Sequence, residues 1–468
     1  MEQGKNASPI RGVHVSAVAS SIFDVTRSDC LVRLVSNAEV SDSLSAHEVY
    51  FRNIFGLLRT FRAKGQPLYK QKKWQKLDAK SQVTLLVLDQ KYPGDTIPQD
   101  DDPRWKQFDA PADKIEKQSG IRTRYWAKPG VDSSHLGAQA AERALKISGL
   151  DREKVGAIIV ATTTPKNHAT PCNAPVIKEL LGIRNERVFC TDMTSACTSF
   201  ASALQTGYSY ISSGLYKTCL VIGTDVEETT TSEYDRNVRI LLSSGALCMV
   251  LEACDLQVSD FHPHWFSFSS DGSLSNLIVI PAGGSALQVT PDMIIDPFDQ
   301  RHMMAMDGPA VRKVAERMLL KVQKKGNGEP PDITGAIARA LESAHLTFAD
   351  IRYAAFHQAN MRIINPVEEH MRELGFTGLV RNNINEYGNM TSGSCGVCLD
   401  HAWQLDLVKY GDLIMMVYFG GGMTVGVIFF RWTLHGFPEE YVCRSFKVDE
   451  MAIGECTIPV LQQSHVEK

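Results

Sequence analysis

The sequence predicts an α/β fold built in layers, and three observations carry that reading. Short apolar runs look like buried parallel strands, helix-length stretches alternate with them and stop at glycines, and the C-terminal half passes through a similar order of elements again. In the first half the runs are GAIIVATTT (156–164) and CLVIGTD (219–225), short, β-branched and bounded by turn or helix signals. Between and before them, HLGAQAAERALKISG (135–149) has helical spacing and ends at Gly149, and SFASALQTGYSYISSG (199–214) ends likewise at Gly214. A second cycle starts near residue 260 and runs through a helix at 309–323, a strand at RYAAF (352–356) and a helix after Asn360. Strands LIMMVYF (413–419) and TVGVIFFRW (424–432) close it. This order implies a duplication, although no residue-level repeat is visible.

Residues 20–111 differ in texture. Ser45-Ala-His-Glu48 reads as a capping box, followed by Tyr50, Ile54, Leu57, Leu58 and Phe61 at helical spacing. A basic stretch follows, in which Lys64, Lys70, Lys72, Lys73, Lys76 and Lys80 surround Tyr69 and Trp74, and an acidic turn at 100–102 closes the segment. It reads as a solvated insertion over part of the core, with a lobe for an acidic partner as the alternative. The expected division is a half over 1–258 carrying this insertion, a half over 259–432 and a surface extension over 433–468.

With 44% hydrophobic and 22% charged residues the composition is that of an ordinary soluble globular protein. A formal net charge of -4 gives no reason to expect nucleic acid as partner, and no run of 18 apolar residues offers a membrane span. The N-terminus MEQGKNASPIRG lacks the apolar core of a secretory signal, so a cytoplasmic protein is expected. The cysteines, 11 in number and scattered, read as reduced thiols. Cys395 and Cys398 form a C-x-x-C without a second pair at zinc spacing, and the 13 histidines show no metal-binding spacing, so no metal is expected.

Three segments carry chemistry. In SACTSFASAL (195–204), Cys197 sits at the first turn of a buried helix, where free N–H groups and the helix dipole are expected to lower its pKa and favour a thioester intermediate. FHQANMRII (356–364) puts His357 at a strand end before a helix, and EYGNMTSGS (386–394) puts Asn389 in a glycine-containing turn before another. The glycine loop FGGGMTVG (419–426) leaves backbone N–H groups uncovered for an oxyanion hole, with the Cys197 amide as the other arm.

The chain resembles the β-ketoacyl-acyl carrier protein synthase III family of thiolase-fold condensing enzymes over nearly its whole length, apart from the insertion and the tail. The matching strings are SGIRTRYWA (119–127), GAIIVATTTP (156–165), SACTSF, YDRNVR (234–239), HQANMRII, YGNMTSGS and FGGGMTVG. The resemblance implies a thiolase-like fold of duplicated α-β-α-β-α layers with mixed sheets. It also implies decarboxylative Claisen condensation through an acyl-cysteine, in a specialised fatty-acid or polyketide-type pathway. Cys197 would take the primer acyl group, His357 and Asn389 would hold the malonyl thioester as CO2 leaves, and the amides of Cys197, Gly421 and Gly422 would bind the oxyanion. Arg236, Asn360 and Phe419 match the pantetheine route, and Arg362 and Lys313 match carrier-docking cations, with Glu373 standing where a further base is expected. The family implies a homodimer joined through edge strands. It implies acyl carrier protein as partner, no permanently bound cofactor, and acyl and malonyl thioesters of coenzyme A or acyl carrier protein as substrates.

The chain departs from the family at Lys114 and Gln118, where a tryptophan and an arginine usually face coenzyme A. Either the Trp74 or Trp105 region replaces that wall, or the primer arrives on a carrier protein. Ser243 and Ser244 in LLSSGALCM (241–249) suggest a reshaped acyl pocket. Two further readings compete: an acyltransferase passing the Cys197 acyl group to a hydroxyl or amine, and a non-catalytic partner subunit. Asn389 argues against the first, because heteroatom transfer needs a base more than an enolate holder, and the complete Cys-His-Asn set argues against the second.

Overall fold

Strands that are apolar on both faces need cover on both, and the chain supplies it by sandwiching two sheets around shared helices. The computed structural model describes residues 12–21, 30–65, 67–168, 170–254, 265–323 and 332–438. Its first half contains β1 (Gly12–Ser20), β2 (Val32–Ser36), α1 (Asn37–Ala63), α2 (Ala79–Lys91), α3 (Ala112–Ser119), β3 (Thr123–Ala127) and α4 (Ser133–Ser148). There follow β4 (Ala157–Ala161), α5 (Asn173–Leu180), β5 (Phe189–Met193), α6 (Ser199–Ser212), β6 (Thr218–Asp225), α7 (Arg236–Arg239) and β7 (Gly245–Cys254). The second half opens with β8 (Trp265–Ser270), β9 (Ile278–Val279), α8 (Pro291–Ile295), β10 (Ala305–Met306), α9 (Gly308–Leu319), β11 (Val322–Gln323), β12 (Asp332–Ile333) and α10 (Ala336–Ala344). It closes with β13 (Tyr353–Phe356), α11 (Met361–Glu373), β14 (Leu379–Val380), α12 (Ile384–Tyr387), α13 (Ser394–Gln404), β15 (Leu413–Gly420) and β16 (Thr424–Arg431).

The duplication is plain in the topology. One five-stranded sheet has the order β1-β7-β6-β4-β5 and the other β8-β16-β15-β13-β14. In both, the first two pairings are antiparallel and the last two parallel. α6 touches β4 and β6 of one sheet and β16 of the other, while α13 touches β1 and β7 on one side and β13 and β15 on the other. These two helices are the shared middle layer. Ser394 through Trp403 of α13 are all buried, which explains why this helix lacks an obvious polar stripe. The Cys395–Cys398 pair lies inside it, in the core.

Three local expectations need correction. The first long helix begins at Asn37, capped by Ser36 and Glu39 in a reciprocal box, so Ser45 and Glu48 lie within it. An earlier Ser-x-x-Glu had the same signal, and Val40 and Leu44 extend the buried face back to it. The strand read at 156–164 ends at Ala161, because Thr162, Thr163 and Thr164 turn their hydroxyls to Asp225. α9 stops at Leu319 because Val322 and Gln323 pair with Ile333 and Asp332. The boundary drawn at 258/259 and nearly all of the 433–468 extension lie outside the described residues.

The insertion is a cap with its own apolar cluster. Phe51, Ile54, Phe55, Leu58 and Phe61 of α1 pack with Leu85 and Leu88 of α2, Trp105, Phe108 and Val238. Lys70, Lys72, Lys73, Lys76 and Lys80 face solvent. The cap is tied to the body by Lys91, whose Nζ lies 2.6 Å from Asp299 and 3.1 Å from Asp296, and by Tyr92, which donates to Asp296 at 2.7 Å.

Candidate active site

Cys197 follows β5 in a tight turn, two residues ahead of the first residue of α6. The preceding Ala196 has a left-handed backbone, φ 50°, which costs a non-glycine residue about 1–3 kcal/mol. Side chains around it hold that conformation. Ser199 Oγ accepts the Ser195 N–H at 2.8 Å, and the Thr198 hydroxyl donates to Ser195 O at 2.7 Å and lies 3.0 Å from Thr424 Oγ1 on β16. The end of β15 then closes on Cys197. A Cβ added at Gly420 would stand 2.6 Å from Cys197 Cβ and 3.0 Å from its sulfur, so only glycine fits.

His357 comes directly after β13 and is fully buried. Its backbone N–H is fixed to Val417 O at 2.8 Å and its ring meets Phe419 edge to face, centroids 5.4 Å apart. Neither ring nitrogen has a hydrogen-bond partner. Burial pushes its pKa down to about 3, so the imidazole is neutral. Phe419 immediately precedes the Gly420 that Cys197 touches, so His357 and Cys197 flank one strand end.

Asn389 follows Gly388, whose φ of 67° and whose contacts to Arg124 and Ser243 exclude a side chain. The Asn389 N–H donates to Leu241 O at 2.9 Å and its carbonyl accepts from Ser243 N–H at 2.8 Å, pinning the turn to the first half. Its amide oxygen accepts from Thr391 N–H at 2.9 Å, which leaves the NH2 edge as the one it can offer to a ligand.

The pKa expected of Cys197 is corrected. Burial pushes the thiol up to about 12, Glu227 and Asp225 push the same way, and the backbone N–H groups of Gly421 and Cys197 oppose them. Lying ahead of α6 and surrounded by protein, with two carboxyls nearby, Cys197 gains less from the helix terminus than it loses to desolvation and charge. The same contacts point the Gly421 and Cys197 amides at the sulfur, whereas Gly422, φ 130°, lies against Thr424. Asp225 and Glu227 escaped the sequence reading. The acidic run after CLVIGT was visible, but nothing local says that it turns inward.

The other expected residues divide. Asn360 caps α11 by accepting the Arg362 N–H at 2.9 Å, and Phe419 is buried against His357. Arg236 is held by the cap, hydrogen-bonded to the Asp109 carbonyl and 3.6 Å from its carboxylate. Trp105 is buried against Phe55 and Phe298, and Trp74 is buried as well, so neither is placed to stack on a nucleotide. Ser243 and Ser244 do not reshape an open pocket. Both are fully buried, Ser243 bonding β3 at Tyr125 and Ser244 bonding Glu227 N–H and the Glu228 carboxylate. Lys313 is exposed and lines a cleft with Arg317, Lys321, Pro366 and His370, and the exposed Arg362 donates to Lys117 O at 3.0 Å. Among the described residues no group of three or more His, Cys, Asp or Glu is arranged to hold a metal, and no helix is long and apolar enough to cross a membrane.

Comparison with known proteins points to one family. Residues 191–272 match the family model for 3-oxoacyl-[acyl-carrier-protein] synthase III, and residues 341–432 match its C-terminal model. The chain is 33% identical over 324 residues to the β-ketoacyl-[acyl-carrier-protein] synthase III of Desulfitobacterium hafniense strain Y51, covering 69% of this chain and 90% of that protein. Among solved structures, the synthase III of Pseudomonas aeruginosa PAO1 is 23% identical with a TM-score of 0.63, covering 91% of this chain and 99% of that one. The priming β-ketosynthase of the R1128 polyketide pathway is 21% identical with a TM-score of 0.65, over 93% and 100%. The uncovered share of this chain in the first comparison exceeds a hundred residues, on the scale of the cap and tail. With its thiolase-like duplicated fold and this level of identity over nine-tenths of a curated relative, the chain belongs to the β-ketoacyl-[acyl-carrier-protein] synthase III family.

Proposed function

We propose that this chain joins acyl units by decarboxylative condensation, with Cys197 carrying the primer acyl group and His357 and Asn389 acting on the malonyl thioester. One observation carries the reading: the Cys197 sulfur is enclosed by the Gly420–Gly421 backbone, and the neutral, unpartnered His357 sits against Phe419 on the same strand end. A half-buried neutral thiol must lose its proton as it attacks, and the neutral imidazole, weakened as a base by its own burial, is the base the site offers. The thiol adds to the primer thioester, its proton passes through His357 to the departing thiol, and the oxyanion is met by the amides of Cys197 and Gly421.

In the second step His357 and the Asn389 NH2 donate to the malonyl thioester carbonyl. Loss of CO2 leaves an enolate there, its carbon attacks the acyl-Cys197 carbonyl, and the cysteine sulfur departs as a thiolate that takes up from solvent the one proton the condensation consumes. Each donor aimed at developing charge contributes on the order of 10²-fold or more in rate. Lys313 and Arg362 would receive an acidic carrier protein. Arg317 and Lys321 add cations around Lys313, against the single acid Glu316 in the same lining. The Asp109 contact that occupies Arg236 favours a carrier-bound primer over coenzyme A.

The exposed edge of β5 is where a second copy would pair to make a homodimer. β5 ends its sheet, and Phe189 on it is 38% exposed beside Tyr210 and Tyr216. The test of the reaction is intact-protein mass spectrometry after incubation with acyl-coenzyme A and acyl-carrier thioesters, followed by a malonyl thioester. An acyl mass that appears on the parent and not on Cys197→Ala, and that is discharged as a β-ketoacyl product, is expected. Discharge to an alcohol or amine without a new carbon–carbon bond would replace condensation with acyl transfer.

A further inference from the structure

Glu227 is fully buried beside the site, and the mechanism above leaves it without a role. Its neighbours divide a limited supply of protons between two carboxyls. Asp225 receives the Thr163 N–H at 2.7 Å, the Ser392 N–H at 3.1 Å and the Ser392 hydroxyl. Thr163 Oγ1 lies 2.9 Å from Asp225 Oδ1 and 3.2 Å from Glu227 Oε1, but has one hydrogen to give. If that hydrogen goes to Asp225, Glu227 completes the chain by donating its own proton to Thr163. Asp225, with more donors, keeps the charge.

Glu227 also reaches both reacting partners. The Thr391 side chain faces Glu227, and the Thr391 N–H holds the Asn389 amide oxygen at 2.9 Å. Thr391 has a left-handed backbone, φ 44°, which the turn must hold against strain. Glu227 is also the foremost charge acting on the Cys197 sulfur. The titratable groups facing Glu227 are Asp225 on β6 and Cys197 ahead of α6. The loops after β4 and before α13 bring Thr163 and Thr391 to its carboxyl, the Thr230 hydroxyl donates to it at 2.9 Å, and Ser244, just before β7, accepts its backbone N–H.

We propose that Glu227 is a positioning residue for the condensation, acting through Thr391 on the Asn389 amide and, by its own charge, on the ease with which Cys197 gives up its proton. Burial and the adjacent Asp225 lift the Glu227 carboxyl to about 8, so it stays neutral while Cys197 is loaded near neutral pH. With Glu227 neutral, a Cys197 thiolate forms beside one negative charge; with Glu227 ionised, it forms beside two.

The proposal rests on the condensing role given above, so its test has one arm independent of that role. In the first arm, Cys197 alkylation by iodoacetamide is followed from pH 6 to 10 in the full-length protein. The parent rate should rise less steeply above about pH 8, where Glu227 ionises, and Glu227→Gln should restore the steep rise. Parallel profiles for parent and Gln variant would overturn the charge coupling, whatever reaction the enzyme catalyses. In the second arm, Glu227→Ala, which frees Thr391, should lower condensation roughly tenfold more than Cys197 acylation, the scale of a misplaced donor. Proportionate loss of both steps in the Ala variant, with a Gln variant that rescues neither, would reduce Glu227 to a packing residue. Failure of the parent to condense, with the alkylation profiles still distinct, would instead strike the proposed function alone.

Discussion

The two halves of the molecule place their working residues at matching positions and load them with opposite chemistry. Cys197 lies ahead of α6 and Asn389 ahead of α13, the helices that occupy the same place in each half. After β4 come the hydroxyls of Thr162 to Thr164; after the equivalent β13 comes His357. At the end of β6 stands Asp225, and at the end of β15 stands Gly420. In the proposed reaction the first half thus supplies the nucleophile, with a buried acidic network behind it. The second supplies neutral donors and bare backbone. A duplicated scaffold provides corresponding loop positions, and the side chains set there decide which half attacks and which half stabilises charge.

The largest effect that tests this division is expected at Asn389. Because its NH2 would act where enolate charge appears, Asn389→Ala should retain the full Cys197 adduct and lose on the order of 10²-fold or more of condensation. Mass spectrometry of the adduct beside product assay separates the two steps, and equal loss in both would make Asn389 a partner of the nucleophile instead. Gly420→Ala presses the second half into the first. A methyl 2.6 Å from Cys197 Cβ must displace the nucleophile, so the loading rate itself should fall by about 10²-fold, the scale of an ångström-sized misplacement. Normal loading in that variant would show that the strand end yields.

Smaller changes come from the exposed cations. Arg362→Glu should slow turnover with a carrier-bound malonyl unit by about fivefold, in line with one screened surface contact, and should hardly affect a small soluble malonyl thioester. Raising salt on the parent should mimic it. A loss of the same size with the small thioester would place Arg362 in support of α11 and the Lys117 carbonyl it binds.

The halves should also differ in how pH moves stability. His357 has a folded pKa lowered by burial to about 3, so the unfolded chain binds its proton first as pH falls. That stabilisation is present above the unfolded histidine value and is lost on going down toward about 3. Glu227 has a folded value raised by burial to about 8; its contribution is present below the unfolded glutamate value and is lost as pH rises through about 8. Urea midpoints measured across pH should therefore lose acid-side slope in His357→Asn and alkaline-side slope in Glu227→Gln. One proton amounts to at most about 1.4 kcal/mol per pH unit. Unchanged slopes in both variants would mean that neither group is buried as described.

Most of the frame was legible because it depends on near neighbours in the chain. Runs such as AIIVA and LIMMVYFG, short and bounded by turn signals, read as strands covered on both faces, and Gly149 and Gly214 end helices as a local backbone preference. Cys197 stood out at the start of a helix, and His357 and Asn389 at loop positions ahead of helices, each within a recognisable motif. The start of α1 was misplaced because two Ser-x-x-Glu boxes compete and only the packing of Val40 and Leu44 selects the earlier one.

What the linear chain could not disclose is how distant segments bear on one another. The fall expected for the Cys197 pKa follows from a helix terminus alone; its rise to about 12 comes from burial and from carboxyls on β6 and the turn after it. Trp74 and Trp105 read as candidate walls for a ligand until the cap folds them into its own apolar cluster. Ser243 and Ser244, read as pocket residues, instead fasten β3, the 227–228 turn and the Asn389 backbone. Local sequence decides backbone preference, apolar period and the identity of reactive groups. Burial, charge and hydrogen-bond supply are sums over segments far apart in the chain, and they acquire values only when the two sheets close around α6 and α13.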